Sequence, residues 1–330
     1  MIWLRRNIPG LLLVAALATA ATLIGAKLPM VGAPIIALLG GAILGTLARR
    51  SCAETGIFAS GTALTRKHVL GVAIVLLGLG LPVGSVLTVG RRTAVVLVGT
   101  LIVGAIAAVV IGRMLALDRE SAILVAVGTT ICGASAIAAA TTVMKPDKQR
   151  VAYALGTIFI FNIVAVLAYP PLGRLLGLSQ EAFGLWAGTA INDTSSVLAA
   201  GVIFGPAAAH FAVIVKLIRS LMIVPMCLGL HFSRREHSAK APLRQSFPLF
   251  VAFFLAASVI AGLGAVPDSW SAALSHLSAW LIASVLAAIG TSLTWQQIRA
   301  TGPRPLLFGG ALGLVLALSS LALQTATGWR

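Results

Sequence analysis

Residues 128–147 read GTTICGASAIAAATTVMKPD. The surrounding runs are Leu, Val, Ile and Ala, yet this stretch carries four Thr, one Ser, one Cys and two Gly before its first charge at Lys145. A second stretch, GTAINDTSSVLAAG at 188–201, repeats its form. Aligned without gaps, Gly128, Thr129, Ile131, Ser135, Ala139 and Ala140 match Gly188, Thr189, Ile191, Ser195, Ala199 and Ala200. Small and hydroxyl residues let membrane helices pack closely, which accounts for the Ala and Ser. Packing accounts poorly for Asn192 and Asp193, because a charge at membrane depth costs about 2.5–3.5 kcal/mol on insertion scales. The better reading is two discontinuous helices. Glycine interrupts a helix cheaply, and the freed backbone groups then face protein or water, never lipid. Half-helix N-termini offer N–H groups and a positive dipole end to an anion. On this reading Thr129, Thr130, Cys132, Gly133 and Ser135 share one substrate site near the midplane with Asn192, Asp193, Thr194 and Ser195.

Composition supports a membrane setting. The chain has 330 residues, 59% hydrophobic and 10% charged. A soluble globule of this size could not cover itself with so few polar groups. Continuous apolar runs, rather than ten-residue alternation, indicate helices and not a barrel. The expected fold is all-α, a polytopic membrane protein with one transmembrane transporter domain over 1–330. Eleven runs are long enough to span: 9–26, 30–48, 68–88, 93–113, 121–143, 151–170, 182–203, 207–230, 247–266, 273–293 and 305–324. The first is read as a retained helix and not a cleaved signal, since another span follows at once. Residues 52–68 are weakly amphipathic and are expected at the interface.

The net charge is +16. Its bases lie in short loops, where they orient spans and meet anionic lipid, and no aromatic-interleaved basic patch suggests nucleic acid. Threading eleven spans from a cytoplasmic N-terminus places fifteen Lys and Arg inside and seven outside, with Lys216 and Arg219 inside a span. In that threading the cluster Lys145–Arg150 falls on the less basic side, and the two polar stretches run parallel. A weaker internal match pairs 78–92 with 290–304, as expected of an inverted repeat.

Of eight acids, Asp193 alone sits within an apolar run. A buried carboxylate pairs with a cation or takes up a proton. Lys216 and Arg219 are three apart on one helix face of the following run, so both are expected to approach Asp193. Asn162 reads as packing. Cys52, Cys132 and Cys227 show no pairing or metal spacing and are expected reduced. The five His are scattered, and no phosphate loop, nucleophile elbow or HExxH occurs. No enzyme activity, cofactor or metal is therefore expected. The expected partners are a small-molecule anion and membrane lipid, with a coupling proton or sodium ion and a homo-oligomer left open.

The elements GTTICGASAIAA, VAYALGTIFIFNIVAVLAYPPLG, FGLWAGTAINDTSSVLAAG and IVKLIRSLMIVP together resemble the YeiH-type bacterial sulfate exporter family, in order and spacing over about residues 10–325. The resemblance implies a multi-pass inner-membrane transporter related to the bile-acid symporter and sodium/proton antiporter folds. There, two discontinuous helices cross at the site within inverted repeats. By position it assigns Cys132, Gly133 and Ser135 to one element, Asp193 to the other and Lys216 to the next helix. The family has His before the Asp where this chain has Asn192, so a proton role for that His does not transfer. The expectation is a secondary transporter of a small anion, of sulfate or organosulfonate type, working by alternating access. A cation/proton antiporter using Asp193 is the alternative. A channel or non-transporting sensor would need no paired broken helices.

Overall fold

A computed structural model describes residues 2–27, 32–48, 51, 56–233, 249–291 and 303–329. All regular elements among them are helices, and the chain is a polytopic all-α membrane protein. Five described helices are long and apolar enough to cross a bilayer: 6–26, 83–114, 149–175, 206–230 and 303–326. The helices divide into two compact units, one of residues 1–86 with 250–295, the other of 87–249 with 296–330.

The first unit packs through glycine. α1 (Ile2–Lys27) and α2 (Gly32–Leu47) precede α3 (Ala59–Leu64), which continues through a π turn (Thr65–Val69) into α4 (Leu70–Leu79), and α13 (Leu249–Gly262) and α14 (Asp268–Thr291) complete the unit. A Cβ placed on Gly10 would lie 2.7 Å from the Gly61 Cα, so α1 and α3 meet backbone to backbone. Ser60 donates to the Asn7 side chain at 2.6 Å. The third helix thus begins at Ala59 and packs on α1, whereas an interfacial segment up to residue 68 was expected. It ends before Pro82, which cannot continue a helix. The arm 290–304 of the expected 78–92 repeat lies largely outside the described residues.

The second unit holds both polar stretches. α5 (Val83–Met114) is 32 residues, about 48 Å at 1.5 Å per residue. α15 (Pro303–Ala326) runs antiparallel to it: Phe308 faces Gly112, Leu316 faces Gly104 and Leu323 faces Gly99. α8 (Lys148–Leu175) is a further long span. α11 (Pro206–Ser220) and α12 (Ile223–Ser233) together make another.

Neither polar stretch crosses as a span; each doubles back. α6 (Arg119–Val127) widens into a π turn (Gly128–Cys132), reverses at Gly133 and returns as α7 (Ala134–Met144). Arg150, just after the return, contacts Glu120 at 2.5 Å and Asp118 at 3.4 Å. A straight helix over 120–144 would hold its ends about 36 Å apart. Gly128 and Ile137 pack across the two arms, with a Cβ on Gly128 only 2.9 Å from the Ile137 side chain. The second hairpin is α9 (Gln180–Ala190), an extended tip and α10 (Thr194–Phe204). Its ends are closed by stacking of Phe183 on Phe204, centroids 3.9 Å apart. Gly184 and Gly188 seat α9 on α11 in the same direction, at Phe211 and Val215, while Gly201 seats α10 against Ala209 in the opposite one. An arm of eleven residues reaches about 16 Å, half of a hydrocarbon core of about 30 Å.

The hairpins enter from opposite ends of α8. The base of the first lies at Arg150. The base of the second lies at Gly173 and Arg174, where Arg174 donates to the Ile203 carbonyl at 2.9 Å and covers the Phe204 ring. The discontinuity expected from sequence is present in both stretches. Their expected crossing as spans 121–143 and 182–203 is corrected to two opposed re-entrant hairpins. The physical cause is Gly133, with φ +68° and ψ −133°, where a side chain would be strained, and the extended backbone of Ile191 and Asp193.

Candidate functional site

The two tips touch. A Cβ on Gly133 would lie 3.1 Å from the Asp193 Cβ and 3.2 Å from its Cα, so a side chain here would press on the second tip. Gly133 therefore turns the first hairpin and also makes room for the second. From α8, Asn162 reaches the same place, its side-chain oxygen accepting the Asp193 backbone N–H at 3.3 Å.

Each helix end at a tip exposes backbone groups without intrahelical partners. Asp193 is the N-cap of α10. Its carboxylate accepts the Ser195 backbone N–H at 3.0 Å and the Ser195 hydroxyl. The carbonyls of the incoming arms are met by two cations of α11. Lys216 Nζ donates to the Ile131 carbonyl and to the Ile191 carbonyl, both at 2.8 Å. Arg219 Nη1 donates to the carbonyls of Gly188, at 3.5 Å, and Thr189. The negative ends of the arms face these cations, the arrangement that helix dipoles favour. Both side chains are fully buried, Lys216 at 0% and Arg219 at 1% exposure.

The expectation that Asp193 holds Lys216 or Arg219 is corrected. Among the described residues no ion pair joins them. The Asp193 carboxylate is taken up by its own helix cap at Ser195, while both cations are taken up by backbone carbonyls of the incoming arms. Sequence spacing gave the shared face of Lys216 and Arg219 but not their acceptors, since these are backbone atoms of residues with apolar side chains.

The other expected residues divide. Thr129 and Thr130 give their hydroxyls to the Val125 and Ala126 carbonyls, each at 2.8 Å, and so brace the arm from within. Cys132 is buried. Thr194 is buried, Ser195 and Asp193 are partly exposed, and Ser135 is exposed beside the tip. Asn192 is buried, and its side-chain oxygen has no partner. Asn162, read as packing, belongs to the tip cluster. Thr189 hydrogen-bonds Ser320 of α15 at 2.6 Å, and Trp186 donates to the Ala317 carbonyl at 3.1 Å, so α15 also supports the second hairpin. The signal for Asn162 was a lone amide in a long apolar run.

A family profile described as conserved hypothetical protein 698 matches residues 9–309. The chain is 39% identical over 340 residues to a UPF0324 membrane protein of Streptococcus pyogenes serotype M3, covering 98% of each chain. It is 36% identical over 336 residues to a UPF0324 membrane protein of Streptococcus agalactiae serotype V, again over 98% of both. A UPF0324 membrane protein of Clostridium tetani matches at 33% over 347 residues, covering 99% of each. This chain belongs to the UPF0324 membrane protein family. Both hairpins of this UPF0324 chain, with Lys216 and Arg219, lie inside the matched region, so the site belongs to the part shared with the relatives and not to an added segment.

Proposed function

We propose that this UPF0324 protein is a secondary transporter of a small anion, and that the tip-to-tip meeting of the two hairpins is its substrate site. The observation that carries this reading is the pair of buried cations, Lys216 and Arg219, at the meeting point of hairpins that enter from opposite ends of α8. Irregular backbone at membrane depth is tolerated where it lines a cavity or a path. Two opposed half-depth arms give each side of the membrane its own movable gate, which is what alternating access requires. Two bases against one acid leave a net positive charge at the tips, which suits an anion. The resemblance to the sulfate exporter family supports the oxyanion type and an inner-membrane location.

The charge pattern supports a cytoplasmic N-terminus more strongly with hairpins than with eleven spans. Because neither hairpin crosses, Lys145, Lys148 and Arg150 move to the inner side and Arg174 moves outward. Fifteen bases against seven become seventeen against five.

The partly exposed Asp193 carboxylate favours a second reading, exchange of a cation for protons. Proteoliposome flux separates the two. Sulfate, sulfite, taurine, methanesulfonate, small carboxylates and sodium are offered with and without a pH gradient. Saturable flux of one of these anions is expected. Sodium–proton exchange with no anion flux would overturn the anion reading in favour of the second.

A further inference from the structure

Arg219 holds its carbonyls with one nitrogen only. Nη1 faces Gly188 and Thr189, while Nε and Nη2 have no hydrogen-bond partner although the side chain is 99% buried. These two nitrogens form one edge of the guanidinium, the edge that presents two parallel N–H groups. Burying such donors unpaired is costly. Lys216, by contrast, is engaged twice, by one carbonyl from each hairpin. Tyr169 stacks on Trp186 at 4.4 Å, and Trp186 lies in α9, the arm whose Gly188 and Thr189 carbonyls Arg219 meets.

We infer that the free edge of Arg219 is the anion receptor of this site and that it selects ligands presenting two coplanar oxygens, a carboxylate or a sulfonate, over monatomic anions of equal charge. The inference rests on the anion reading above. A planar fork matches two oxygens of one group in parallel hydrogen bonds, whereas an ammonium offers only a point charge. Lys216 and Arg219 outnumber Asp193 by one, so a monoanion balances the formal charge of the three side chains. The Tyr169–Trp186 stack, three residues from Thr189 on α9, offers apolar surface to an organic substituent. Lys216 is then a positioning residue: it ties the two tips together and so sets where the Arg219 edge points.

Binding to the purified full chain in detergent tests this apart from transport. Acetate, methanesulfonate, sulfate and chloride are titrated at constant ionic strength, with ligand-induced thermal stabilisation as the readout. For the wild type, acetate or methanesulfonate is expected to bind at least tenfold more tightly than chloride. Equal responses to chloride and to both organic oxyanions would overturn the fork. Arg219→Lys keeps the charge and removes the fork, and is expected to abolish that discrimination. Discrimination retained within twofold in Arg219→Lys would equally overturn it. Should Arg219→Lys not purify as a monodisperse protein, the wild-type comparison decides alone. If the wild type answers to none of these anions, the anion reading itself fails, and the fork with it. If it binds anions without preferring the bidentate ones, only the fork fails.

Discussion

At Lys216 one side chain satisfies backbone from two separate hairpins, so its loss is not a local event. Lys216→Met keeps the length and apolar stem but leaves the Ile131 and Ile191 carbonyls without their donor. Each orphaned buried acceptor costs about 1–3 kcal/mol. The expected result is a clear fall in the thermal midpoint of the detergent-solubilised protein, with Lys216→Arg falling less because it still donates. A midpoint unchanged in Lys216→Met would mean that water or rearranged backbone replaces the ammonium. The sequence made Lys216 conspicuous as a charge in an apolar run. It could not show the acceptors, since any residue's carbonyl can serve. The same limit explains Asp193. Its isolation among apolar residues was legible, but its cap bond goes to the Ser195 backbone N–H, a donor that any residue except proline carries.

At the scale of elements, the hairpins show what periodicity can and cannot tell. The breaks were legible in Gly133 and in the polar run 189–196, because both interrupt hydrophobic helices with residues that favour turns and caps. Whether the chain then continued or reversed was not legible, since a half-length arm and half of a broken span have the same composition. The reversal is decided by contacts at the base: Phe183 on Phe204 in one hairpin, and Arg150 with Glu120 and Asp118 in the other. The second of these bases titrates. Burial pushes the Asp118 carboxyl up, but hydrogen bonds from the Ser121 backbone and hydroxyl and the nearby Arg150 charge outweigh it, holding the group below its ordinary value of 3.8. A carboxylate lowered on folding stabilises above its unfolded value and loses that contribution as pH falls through its folded one. The wild type should therefore exceed Asp118→Asn in thermal midpoint at pH 6, and the gap should close on acidification below about pH 4. The effect is small and salt-sensitive, because Asp118 and Arg150 are both partly solvated. A gap independent of pH would assign the difference to the cap alone.

At the scale of the whole chain, the positive charges and the hairpins constrain each other. With eleven crossings, Lys145, Lys148 and Arg150 sat opposite most of the other bases, three cations within six residues against the inner-side bias. Hairpins remove that conflict without any change elsewhere, because taking away two crossings leaves the side of every later loop except that of Arg174 and its neighbours unaltered. The six residues 145–150, from the link after α7 into the first turn of α8, therefore decide between two topologies that share the same hydropathy profile. Single cysteines at Lys145 and at Ser179, in a background lacking Cys52, Cys132 and Cys227, distinguish them directly. With the cytoplasmic N-terminus proposed above, hairpins put Lys145 at the base of the first arm pair, on the cytoplasmic side, and Ser179 at the base of the second, facing outward. An impermeant thiol reagent applied to intact cells should modify the cysteine at 179 and not the one at 145, and inverted vesicles should reverse the pattern. Eleven spans require the opposite result at both positions. Labelling at 145 from outside and at 179 from inside would restore the crossing helices, and with them the parallel arrangement that the meeting of Gly133 with Asp193 between opposed arms contradicts.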